Sequence, residues 1–204
     1  MQSTRLCLVR HGETAWNAEG RVQGQLDIPL NATGLAQARA VAAALKNESF
    51  AAIYSSDLVR AQQTARPVAD LWKKNIVLDE NLRERHYGMF QGMTYAEASE
   101  RIPEGYARFK AKDPGYDFGT GESLEDFNRR SLLFIKRAAQ DHEGENLLLF
   151  THGGVLEMVY RHATGRGLST PRDFEIPNAG INRVEIGAMG WRVESWADID
   201  HLSA

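Results

Sequence analysis

Three short apolar runs, Leu6 to Val9, Ala51 to Tyr54 and Leu147 to Phe150, constrain the fold of this chain more than any other feature. Each is bounded by polar or small residues, the pattern of a strand buried on both faces. Each is also followed by a stretch that can be helical. After the first comes Thr33 to Lys46, alanine-rich, with Thr33 as a candidate cap. After the second comes Asp57 to Lys73, and after the third Val155 to Thr164, stopped by Gly165. Strand followed by helix, three times over, requires crossover connections and a mainly parallel sheet.

Ser123 to His142 reads as one long amphipathic helix, with Leu124, Phe127, Ser131, Phe134 and Ile135 on one side. Ile181 to Ile186 and Trp191 to Trp196 alternate apolar and polar residues around Gly187 to Gly190, which predicts a hairpin closing one edge of the sheet. The expected fold class is therefore α/β, a three-layer α/β/α sandwich with a mainly parallel central sheet and a C-terminal β-hairpin. Between Asn81 and Gly121 periodicity is weak, with a short helix predicted at Tyr95 to Ile102 and a loop at Asp113 to Gly121. An unpaired hairpin edge could add a strand from another subunit, which keeps a homodimer among the expectations.

At 204 residues, 43% hydrophobic and 25% charged, the chain is expected to form one compact domain over residues 1–204. A formal charge of -3 without blocks of like charge argues against a general nucleic-acid or membrane-surface role. The single cysteine, Cys7, lies inside the first apolar run, so it reads as a small buried hydrophobe rather than as part of a disulfide or thiolate metal cluster. The start lacks the apolar region of a signal peptide, and no stretch approaches the ~20 apolar residues that cross a bilayer. A cytoplasmic location is expected.

Chemistry concentrates where the apolar runs stop. Arg10, His11 and Gly12 end the first, and Thr151, His152, Gly153 and Gly154 end the third, at the strand ends where open α/β sheets bind ligands. A neutral imidazole can attack an electrophile, and a neighbouring glycine lets a ligand approach the backbone. Alone, such a histidine is more often structural. Arg10 shifts the balance, because a guanidinium beside it both holds an anion and disfavours the imidazolium that cannot attack. Arg60 has two readings at this point, a second anion ligand or an exposed helix arginine paired with Asp57.

Taken together, these residues spell out a family. Leu8-Val9-Arg10-His11-Gly12-Glu13-Thr14 with Trp16-Asn17, followed by Gly20-Arg21-Val22-Gln23-Gly24, Asp27 and Pro29-Leu30, resembles the histidine phosphatase superfamily, also called phosphoglycerate mutase-like. So do Ser55 to Ala61 with Thr64-Ala65, Leu82-Arg83-Glu84, Gly121-Glu122-Ser123 and Thr151-His152-Gly153-Gly154, all in the family's order. The resemblance implies that His11 is the phosphoryl acceptor, that Arg10, Arg60 and His152 bind the transferring group, and that Glu84 is the proton donor. It places Asn17, Gln23 and Tyr87 in the substrate pocket, with the backbone amides of Gly24 and Gly153 as helpers. It implies no cofactor and no metal; His86, His142, His162 and His201 show no metal-ligand spacing.

The chemistry supports these roles independently. Phosphoryl transfer spreads charge over three oxygens, and two guanidiniums with a second imidazole can stabilise it as magnesium does elsewhere. In-line attack through Nε2 of His11 requires the proton on Nδ1, held by a backbone carbonyl. Glu84 must be protonated to serve a leaving alkoxide, which predicts a pKa raised by burial or a nearby anion.

Three functions remain open, and the expected partner is a small phosphorylated metabolite. Glu84-Arg85-His86-Tyr87-Gly88 looks like cofactor-dependent phosphoglycerate mutases. Those enzymes continue with a carboxylate-gripping lysine where this chain has Tyr95, and they carry an inserted segment with paired arginines. Arg129-Arg130 falls in the long helix and is not equated with that pair. The absence of the insertion favours a phosphomonoesterase. A non-catalytic phospho-ligand module is disfavoured because every catalytic position is filled. Surface or capping roles are expected for His142, His162 and His201, while His86 is left as either a substrate contact or a structural residue.

Overall fold

The computed structural model describes residues 2–203. In chain order the elements are β1 (Thr4–Arg10), α1 (Ala15–Ala18), α2 (Ala32–Leu45), β2 (Ala52–Ser55), α3 (Val59–Trp72), β3 (Ile76–Leu78), α4 (Tyr95–Arg101), α5 (Pro103–Lys110), α6 (Leu124–Asp141), β4 (Asn146–Thr151), α7 (Gly153–Ala163), β5 (Ile181–Gly187) and β6 (Gly190–Asp198). The strands form one sheet in the order β3-β2-β4-β1-β5-β6. The first four are parallel; β5 and β6 run antiparallel and close one edge as a hairpin.

Strand alternation explains the layers. Leu6 and Leu8 of β1 and Leu147 and Leu149 of β4 point to one face, where Phe127 and Ile135 of α6 and Val155 and Val159 of α7 cover them. Cys7, Val9, Leu148 and Phe150 point to the other, against Val41 and Leu45 of α2 and Ala65 and Val68 of α3. Both faces of the central strands are thus buried, as their unbroken apolar runs require. Burial pushes the Cys7 thiol up to about 12, so it remains a protonated, unreactive core residue at neutral pH. Among the described residues no helix is long and apolar enough to cross a membrane.

Several boundaries differ from the sequence expectation. Asn31, not Thr33, caps α2, its Oδ1 accepting from the Gly34 N–H at 2.8 Å. Helix α3 starts at Val59 rather than Asp57, because Leu58 is extended and the Asp57 carboxylate is bound to Arg83 at 2.5 Å. Strand β3 and helix α5 were not anticipated. The first is a three-residue edge strand with two exposed positions. The second places Tyr106 and Phe109 against a small separate cluster of Val22, Phe90, Ala98, Tyr116 and Phe118, and this local aromatic packing has no helical period. The expected long helix appears as α6, capped by Ser123 and ended at His142.

Candidate active site

Strands β1 and β4 lie side by side with Arg10 opposite Thr151, so the residues that follow, His11 and His152, meet beyond the strand ends. Their ring centroids are 5.1 Å apart. His11 Nδ1 lies 2.7 Å from the Gly12 carbonyl. A carbonyl only accepts, so Nδ1 carries the proton and Nε2 presents its lone pair, the tautomer expected from the sequence. His152 is held through Nε2, 2.8 Å from the Ser56 hydroxyl, while its buried Nδ1 makes no hydrogen bond among the described residues. Burial, then the charges of Arg60 and Arg10, holds His11 well below the usual imidazole range. His152 is depressed likewise by burial, then by Arg60, His11 and Arg10.

Both guanidiniums are fixed by backbone carbonyls rather than by carboxylates. Arg10 Nη1 donates to Ile176 O at 2.6 Å. Arg60 is completely buried and donates to Gly24 O at 2.7 Å and Leu26 O at 2.9 Å. The reading of Arg60 as an exposed partner of Asp57 is therefore wrong: Asp57 pairs with Arg83 instead. Burial lowers the pKa of Arg10 and pulls Arg60 down to about 10, with Glu84 as the largest opposing influence on each. Both remain charged at neutral pH. Their Nε atoms are buried without a hydrogen-bond partner among the described residues, an arrangement whose cost an incoming anion relieves.

Glu84 lies in an irregular stretch after the short turn of Glu80–Leu82. Its carboxylate accepts from the Gly154 N–H at 3.0 Å and from its neighbour Arg85 N–H at 2.8 Å. The first bond seats it at the N-terminus of α7. A Cβ on Gly154 would overlap Glu84 Oε1, so glycine is required for that approach. The Cβ direction of Gly153 opens 3.5 Å from Arg10 Nε and 3.9 Å from Glu84 Oε2, which brings arginine, carboxylate and helix terminus to one place.

The remaining sequence candidates surround this centre. Asn17 Oδ1 caps α1 by accepting from the Thr14 N–H at 3.1 Å, and Asn178 Nδ2, 3.3 Å from it, also donates to His11 O at 3.0 Å. Gln23 is buried with Oε1 unpartnered among the described residues, and it precedes Gly24, whose carbonyl orients Arg60. Tyr87 is held well above the usual phenol range by burial, then by Glu84. Gly12 serves a different purpose from that expected: a Cβ there would meet the Gly34 carbonyl oxygen at 2.7 Å, so it admits α2 rather than a ligand. His86 Nδ1 accepts the Gly88 N–H at 3.1 Å, a structural bond. His142 ends α6 between Tyr54 and Glu145, His162 packs edge-on to Trp191, and His201 reaches Ala179 O.

Two residues were missed as site residues. Ser56 orients His152, and Asn178 ties the His11 loop to the segment before β5. Ser56 stood in a quoted motif, but only the fold shows what its hydroxyl faces. Asn178 lies outside every motif.

A cavity of about 410 Å3 is lined by Gly154, which holds Glu84, and by Tyr87, Tyr95, Phe109, Lys110 and Arg172. At its side Glu157 binds Lys112 at 2.8 Å and Arg161 at 2.7 Å, with Arg172 at 3.7 Å. Burial opposes ionisation of Glu157, but the hydrogen bonds from Lys112 and Arg161 outweigh it and hold the carboxyl low. Among the described residues no group of three or more histidine, cysteine or acidic side chains could hold a metal ion.

Known proteins resemble the chain in sequence and in fold. The chain is 39% identical over 204 residues to a metal-independent phosphoserine phosphatase of Arabidopsis thaliana, covering 98% of this chain and 84% of the relative. It is 37% identical over 205 residues to the probable phosphoglycerate mutase GpmB of Enterobacter sp. (strain 638), covering 97% and 94%. Among solved structures, a mutant phosphoserine phosphatase from Entamoeba histolytica in complex with phosphoserine superposes with a TM-score of 0.88 at 29% identity, covering 98% of this chain and 99% of that one. Residues 6–199 match the histidine phosphatase superfamily (branch 1), and it is to this family, with His11 and His152 at neighbouring strand ends, that the chain belongs.

Proposed function

We propose that the chain is a metal-independent phosphomonoesterase that acts on a small phosphorylated metabolite through a phosphohistidine at His11. The observation that carries this reading is the set of buried nitrogens without hydrogen-bond partners among the described residues, Arg10 Nε, Arg60 Nε and His152 Nδ1, around a histidine whose Nε2 lone pair is free; with the Ser56 hydroxyl donating to Nε2 of His152, Nδ1 of that ring carries the proton. A bound phosphoryl group offers oxygens to all three.

His11 Nε2 attacks phosphorus as the ester P–O bond breaks, and Glu84 gives its proton to the departing alkoxide. Arg10, Arg60 and the His152 N–H hold the three equatorial oxygens, where charge develops. In the second half, the Glu84 carboxylate takes a proton from water, water attacks phosphorus, and the N–P bond breaks to release phosphate and neutral His11.

The mutase alternative has a specific relative behind it, but the position matched to the carboxylate-gripping lysine of those mutases is held by a tyrosine here. Tyr95 stacks on Phe109, with ring centroids 5.7 Å apart. A non-catalytic module would not require the free His11 Nε2.

The test is phosphate release from a panel of alkyl phosphates with and without chelator, beside bisphosphoglycerate-dependent interconversion of phosphoglycerates. Chelator-insensitive hydrolysis that is lost in His11→Ala is expected. Interconversion without hydrolysis would establish the mutase, and hydrolysis surviving His11→Ala would remove the phosphohistidine.

A further inference from the structure

Glu84 must hold its carboxylate within hydrogen-bond reach of a leaving oxygen, yet it sits on irregular backbone between two short turns, Glu80–Leu82 and Gly88–Phe90. The fixing device is a guanidinium with every donor used. Arg130 Nε and Nη2 fork onto Glu122 at 2.6 and 2.9 Å, Nη2 also donates to Glu84 O at 3.0 Å, and Nη1 donates to Asn81 O at 2.8 Å and Arg83 O at 3.1 Å. Glu122 closes the other side, its N–H donating to His86 O at 2.9 Å and its carbonyl accepting from Arg85 Nε at 2.9 Å. One turn before Arg130, Phe127 packs under the guanidinium at 4.9 Å. The same ring crowds the Cβ position of Gly154, the residue whose N–H holds Glu84.

We propose that Arg130 and Glu122 are a positioning pair for Glu84, clamping the Asn81–His86 segment so that its carboxylate stays aligned with the leaving oxygen. The inference rests on the reading of Glu84 as proton donor. Lysine cannot replace the clamp, since one ammonium lacks the planar five-donor fork, and an ordinary loop staple would not send donors to three carbonyls around one acidic residue. Exposure separates the two neighbours: the Arg130 side chain is 20% exposed and that of Arg129 68%.

The experiment uses two leaving groups. An alkyl phosphate, phosphoserine or whichever the panel ranks first, needs a proton on its departing oxygen; p-nitrophenyl phosphate does not. Phosphohistidine formation is followed by rapid quench in the intact chain. Glu84→Gln is expected to slow the alkyl reaction by about 10²-fold or more and to leave the aryl reaction within a few-fold. Arg130→Lys should repeat that selectivity at about 10-fold or more, since small misplacements of a catalytic group are costly, and should add nothing in the Glu84→Gln background. Glu122→Gln, which keeps the guanidinium, is read in parallel and decides the matter if Arg130→Lys does not fold. Loss of selectivity in Glu84→Gln itself overturns the donor reading. Selectivity there, with equal slowing of both substrates or none in the clamp variants, overturns the positioning alone.

Discussion

His11 and His152 face each other at 5.1 Å between ring centroids with planes tilted by 57°, brought together by the one-to-one register of two parallel strands. At that separation, beside two buried guanidiniums, neither ring can accept a proton without placing a further positive charge in a desolvated space. The site is therefore neutral at its two histidines and cationic at Arg10 and Arg60. That is the arrangement an attacking imidazole and an anionic substrate require.

The first prediction follows for pH. An exposed histidine titrates near 6.5, whereas the ring-proton chemical shifts of His11 and His152, held low by burial and then by Arg60, should titrate well below that in an NMR pH series. A titration centred near 6.5 at either ring would contradict this.

Stability carries the same signature. For a histidine with a folded pKa below its unfolded value, the unfolded chain binds more protons between the two, so stability rises with pH across that window and is lost as pH falls below about 6.5. The limit is about 1.4 kcal/mol per pH unit for each ring. A His11→Gln, His152→Gln double variant should lose less stability than the parent between pH 7 and pH 5.5 in urea melts, and an equal loss would refute the assignment.

Gly154→Ala tests the seat of Glu84. The new methyl overlaps Glu84 Oε1 and approaches Phe127 at 2.9 Å. Overpacking of this kind costs about 1–3 kcal/mol, and at this chain length each kcal/mol lowers Tm by about 2–4 °C. The expected result is a Tm drop of that order together with a fall in kcat for alkyl phosphates of about 10²-fold. An unchanged kcat would show that the N-terminus of α7 does not set Glu84.

Ser56→Ala removes the only hydrogen bond that the His152 ring makes among the described residues. The loss of one net hydrogen bond, about 1 kcal/mol, should reduce kcat/KM by roughly 5- to 10-fold with little change in Tm. A wild-type kcat/KM would mean that packing alone holds the ring.

How far the sequence reaches is clear from these residues. His11, His152, Arg10 and Gly154 end strands or begin a helix, so a local apolar pattern places them, and the hairpin and α6 followed from periodicity in the same way. Ser56 and Asn178 act across gaps of 96 and 167 residues in the chain, where no local pattern exists. The Arg130 clamp was hidden for a different reason: its period is that of an ordinary amphipathic helix, and what it grips is backbone. The α5 region escaped because its aromatic side chains pack on one another rather than on the sheet.

Arg10 and Arg60 donate only to neutral carbonyls, and this makes occupancy part of the chain's durability. A phosphate or substrate anion that binds the folded form stabilises it by about 2.7 kcal/mol at a hundred times its Kd. We expect pulse proteolysis to be slower with millimolar phosphate, and an Arg60→Lys variant to lose that protection; equal cleavage with and without phosphate would refute it. The lifetime of such a protein in a cell would then track the supply of the anion that fills this site, falling when the pool is drained and recovering when it refills.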